Sequence, residues 1–121
     1  NLNNAWGVEA AVIGGVNFYY GTDQANDELW RTDTVNDLSL ANFLDNPRDV
    51  ARTITGSGRL AVADSGSGML LLIDDCGSPP CPAQAIVWGP WQPWGLHFET
   101  PSDLLVTDRD GDSLFRVSGP F

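Results

Sequence analysis

Short apolar runs alternate with clusters of Gly, Pro, Asp and Asn along the whole chain. The runs are Ala10–Ile13, Asn17–Tyr20, Leu60–Ala63, Leu70–Ile73, Ala85–Trp88, Leu104–Thr107 and Leu114–Val117. Runs this short, bounded by turn-forming residues, predict β-strands. No stretch holds an apolar stripe of helical period for three turns. The nearest, Leu38–Leu44, soon meets Asn46-Pro47, a helix-terminating pair. The chain therefore reads as all-β.

A repeat organises these strands. With Asp23, Asp64 and Asp108 as anchors, 41 and 44 residues apart, seventeen columns align without a gap. They are Asn17–Asp33, Gly58–Asp74 and Ser102–Ser118. Six residues after each anchor stands a leucine, Leu29, Leu70 or Leu114, and the next column holds Trp30, Leu71 and Phe115. Two positions later come Thr32, Ile73 and Val117. Each copy opens with a similar phrase: Ala5-Trp6-Gly7-Val8, Pro47-Arg48-Asp49-Val50 and Pro93-Trp94-Gly95-Leu96.

In physical terms the opening phrase starts a first strand, and a turn leads to a second strand that ends at the anchor aspartate. A polar loop of about five residues then makes a hairpin into a third strand. The anchor carboxylate suits the loop start, where it accepts hydrogen bonds from loop N–H groups. A fourth strand falls in the spacer, around Leu38–Leu44 in copy one and Ala85–Trp88 in copy two. The third copy stops after its third strand, which makes eleven strands in all. Four antiparallel strands in some 42 residues is the size of one propeller blade.

The pattern resembles the NHL-repeat class of β-propellers, carried best by Leu60-Ala61-Val62-Ala63-Asp64-Ser65-Gly66 and Leu104-Leu105-Val106-Thr107-Asp108. Ala5 and Gly21 depart from it in the first copy, and Asp49 in the second. The resemblance implies three four-stranded blades in one segment, approximately residues 1–41, 42–88 and 89–121. Three blades are too few to close a ring, so the segment is expected to be half or a fragment of a larger, six-bladed one. The expected partners are proteins: the remaining blades of a longer chain, or a second copy. No initiator Met and no signal peptide is visible, which reads as a processed product or an excerpt.

Charge narrows the partners further. The chain has 121 residues with six arginines and no lysine against 16 acidic residues, a net charge of −10. Such a surface repels phosphate backbones, so nucleic acid is not an expected partner. The longest apolar run, Met69–Ile73, is far too short for membrane insertion.

Candidate chemistry is sparse. Cys76 and Cys81 enclose Gly-Ser-Pro-Pro. With His97 they make only three soft ligands, too few for zinc, and the spacing is not that of a redox CxxC motif. A local disulfide is expected, which places the protein in an extracellular or periplasmic compartment. Asp108, Asp110 and Asp112 resemble a calcium loop, but Gly111 falls at the fourth position and no late acidic ligand follows. They are weak metal candidates, and no cofactor is expected. Trp88, Trp91 and Trp94 are candidates either for packing between blades or for stacking on a glycan. The sole histidine, His97, has no nucleophile motif to serve, so no catalytic residue is assigned. The expected function is a non-enzymatic, secreted binding or assembly module. The alternative is a metal-dependent propeller enzyme, lactonase or sugar oxidoreductase in type, or a glycan-binding propeller.

Overall fold

The computed structural model describes residues 4–54, 58–89 and 91–121, the side chain of Trp88 excepted. The described residues form eleven strands and no helix. In chain order these are β1 (Ala5–Ile13), β2 (Val16–Asp23), β3 (Glu28–Thr32), β4 (Asp37–Ala41), β5 (Pro47–Arg52) and β6 (Leu60–Asp64). They continue as β7 (Met69–Ile73), β8 (Ala83–Trp88), β9 (Pro93–Thr100), β10 (Asp103–Asp108) and β11 (Ser113–Ser118).

The strands build three antiparallel sheets, ordered β1-β2-β3-β4, β5-β6-β7-β8 and β9-β10-β11. Each sheet comes from one copy of the repeat, with sequential neighbours paired throughout. The spacer strands β4 and β8 lie where the spacing between copies places them. In every copy the second strand ends on the anchor aspartate and the hairpin loop follows.

The first strands of the sheets lie side by side, β1 against β5 and β5 against β9. The sheets therefore face one another and enclose two cores. Between the first and second sheets, Tyr20, Leu29 and Leu40 pack with Val50, Leu60, Val62, Leu71 and Ile73. Between the second and third, Ala51, Ala61, Ala63, Leu70 and Leu72 pack with Phe98, Leu104 and Val106. The second sheet is thus apolar on both faces. That is why β6 (Leu-Ala-Val-Ala) and β7 (Met-Leu-Leu-Leu-Ile) read as unbroken apolar runs rather than alternating ones.

Register explains which column faces which neighbour, because directly opposed residues share a face. Tyr20 opposes Arg31 and Thr22 opposes Leu29, so this set faces the second sheet. Gly21 opposes Trp30 and Tyr19 opposes Thr32, which puts them on the other face. The leucine column therefore faces forward, towards the next repeat, and the Trp30/Leu71/Phe115 column faces back.

Candidate functional site

The three anchor aspartates are buried and do the same work in each sheet. Asp23 Oδ1 accepts from Asn4 N at 3.2 Å, Asp64 Oδ1 from Asp45 N at 2.7 Å, and Asp108 Oδ1 from Gln92 N at 3.0 Å. The carboxylates also hold the hairpin loops, through Ala25 N at 3.2 Å, Ser67 Oγ at 2.6 Å and Asp110 N at 3.2 Å. Each anchor thus ties the entry of the first strand of its sheet to the loop after the second strand. Burial pushes the Asp64 carboxyl above the usual carboxylate range, against the pull of its bonds to Ser67 and Asp45. The sequence indicates the loop contact; the strand-entry contact belongs to the fold.

These ties bring the second residue of each opening phrase to one end of the molecule, so that Trp6, Arg48 and Trp94 meet. The Arg48 guanidinium carbon lies 4.4 Å from the Trp6 ring centre and 4.0 Å from that of Trp94. The two indoles meet edge to face at 5.9 Å. Arg109, the residue after the third anchor, lies over Trp94 at 4.8 Å. In the first copy the equivalent residue is Gln24, whose Oε1 accepts from Arg48 at 3.1 Å. In the second it is Ser65, whose hydroxyl donates to the Pro93 carbonyl. Burial and the charge of Arg109 hold the Arg48 guanidinium below its usual pKa.

Asp49 stands where the other two copies have glycine, and it fills the gap between the first strands. Its Oδ2 accepts from Leu96 N at 2.8 Å and its Oδ1 from Val50 N at 2.9 Å. A Cβ on Gly7 would overlap Asp49, so Gly7 is what lets the two strands approach. In the glycine copies a threonine hydroxyl takes the strand N–H instead, Thr22 to Gly7 at 3.0 Å and Thr107 to Gly95 at 2.8 Å. Desolvation pushes the Asp49 carboxyl up, which outweighs its two N–H bonds.

Further along the same strands, Glu9, Arg52, His97 and Phe98 line a cavity of about 470 Å³. Glu9 Oε2 accepts from Arg52 N at 3.2 Å, and His97 is exposed. Among the described residues, no group of three or more His, Cys, Asp or Glu side chains is placed to hold a metal ion. Asp108 is buried in its loop, whereas Asp110 and Asp112 face solvent.

The outer faces of the first and third sheets face solvent. Leu29 and Leu70 are fully buried against the next sheet, but Leu114 is 66% exposed. On the first sheet Trp6, Val8, Tyr19, Gly21 and Trp30 line a cleft of about 410 Å³, largely apolar. Gly21 makes room for it where Val62 and Val106 fill the equivalent place in the other copies.

Cys76 and Cys81 are joined in a disulfide with Cα atoms 5.6 Å apart. Cys81 is buried, and its N–H donates to the Leu40 carbonyl at 2.8 Å, fastening this loop to β4. The disulfide is consistent with an oxidising compartment. No helix long and apolar enough to cross a membrane occurs among the described residues. Of the three tryptophans singled out by sequence, Trp94 joins the arginine cluster. Trp91 donates its indole N–H to the Gly68 carbonyl at 2.6 Å and packs edge-on against Phe115 at 5.6 Å. The side chain of Trp88 lies outside the described residues. Arg48 and Arg109 were missed as site residues; the aligned opening phrases carried the signal, since Arg48 shares a column with Trp6 and Trp94. No protein-family model matches the chain, and no curated protein matches it.

Proposed function

We propose that the chain is a three-blade β-propeller segment, extracellular or periplasmic, that serves as a non-enzymatic binding or assembly module through its two outer sheet faces. The observation that carries this reading is the fate of one column. Leu29 and Leu70 each bury completely against the following sheet, while Leu114, in the same position, is 66% exposed. The forward face of the third sheet and the backward face of the first repeat the pattern of the two faces that already pack inside the molecule. A surface of that design fits a further repeat of the same kind, supplied by a second copy or by further blades. The side-by-side placement of β1, β5 and β9 supports the blade reading, since propeller blades meet along their first strands.

Native mass spectrometry and sedimentation of the 13.1 kDa chain test it. Self-association or capture of further blades is expected, and Leu114→Asp should weaken it by placing a charge in the contact. A monomer at every concentration, equally soluble with and without Leu114→Asp, overturns the assembly reading.

A further inference from the structure

We propose that Arg48 and Arg109, with the indoles of Trp6 and Trp94, form a binding site for a small carboxylate at the end of the molecule where the first strands begin. Two guanidinium groups share one indole here, in a chain that has only six arginines and a net charge of −10. Three of the other arginines are paired: Arg31 with Asp75, Arg59 with Asp74 at 3.2 Å, and Arg116 with Glu99 at 2.9 Å. Among the described residues, neither Arg48 nor Arg109 has a carboxylate at ion-pairing distance. The Arg48 Nε is buried without a hydrogen-bond partner. Two like charges are thus held against one indole; Arg48 spends one N–H on Gln24 Oε1 at 3.1 Å, and the remaining guanidinium N–H groups that reach solvent are the ones a bound carboxylate takes up.

Guanidinium geometry selects the ligand. Its planar fork matches a carboxylate through two parallel N–H···O bonds. The nearest acidic side chain on the opening phrases, Asp49, is turned towards the Leu96 and Val50 N–H groups. The chain's net charge of −10 repels a polyanion at long range and, among anions, penalises a singly charged one least. Trp6 also borders the cleft on the outer face of the first sheet, whereas Arg48, Trp94 and Arg109 do not line it.

The test is a titration with sodium acetate, and in parallel with sodium phosphate, against sodium chloride at equal ionic strength, followed by the indole N–H signals of the five tryptophans in an NMR spectrum. Saturable shifts confined to Trp6 and Trp94 are expected with acetate. Arg109→Gln should weaken them by about tenfold or more, the loss of a charge-assisted hydrogen bond. Arg109 is an exposed loop residue, so unchanged signals from the other tryptophans show that this variant stays folded. Arg48→Lys, which keeps the charge but loses the plane, should also weaken binding. Equal shifts with chloride, binding unaltered by Arg109→Gln, or saturation by phosphate but not acetate overturns the proposal.

Discussion

Truncating the leucine that stands six residues after each anchor gives one substitution in three environments. Leu29 and Leu70 are 0% exposed, and Leu114 is 66% exposed. Replacing a buried leucine by alanine loses about 2 kcal/mol of transfer free energy, at ~0.8 kcal/mol per methylene. A cavity that relaxes only in part adds about 1 kcal/mol more. Leu29→Ala and Leu70→Ala should therefore each cost about 3 kcal/mol. Leu114 buries only about a third of its side chain, and water already reaches the space around it. Its transfer loss falls to about 0.7 kcal/mol with no cavity contribution. Urea unfolding at low protein concentration, followed by tryptophan fluorescence and circular dichroism, measures all three. If Leu114→Ala costs the monomer as much as Leu70→Ala, the third sheet does not present a free face. If Leu29→Ala costs under about 1 kcal/mol, the first and second sheets do not share a core. At higher concentration the Leu114→Ala penalty should grow in step with self-association.

Replacing Cys76 and Cys81 together by serine should cost about 2 kcal/mol, the loop-entropy value for so short a closure. A urea midpoint unchanged by the double substitution refutes it. The Tyr20 hydroxyl donates to Asp75 Oδ2 at 2.6 Å, and burial, then this bond and the Asp75 charge, push its pKa up to about 12 from 10.0. The folded state keeps the proton longer than the unfolded chain does. The stability from this group is therefore fully present below pH 10 and is lost as pH rises towards 12. Chemical unfolding across that range should show the loss in the wild type, and Tyr20→Phe should flatten it.

Much of the fold was legible because a repeat is a local pattern read three times. Short apolar runs between Gly, Pro and Asp clusters marked strands, and the anchor column marked where each hairpin turns. The all-β class, the eleven strands and the Cys76–Cys81 bridge follow from features close together in the chain, whose geometry sequence spacing constrains. The sequence could not separate Leu114 from Leu29 and Leu70, since burial depends on whether another sheet lies opposite. Nor could it distinguish the forward from the backward face before the register was known, because a one-residue shift exchanges them. The meeting of Trp6, Arg48 and Trp94 is tertiary for the same reason. Each opening phrase specifies one strand entry, but only the side-by-side packing of β1, β5 and β9 places an arginine against indoles from two other repeats. Asp49 shows the limit most plainly: read along the chain it breaks the opening motif, and in the fold it is the carboxylate that joins β5 to β9.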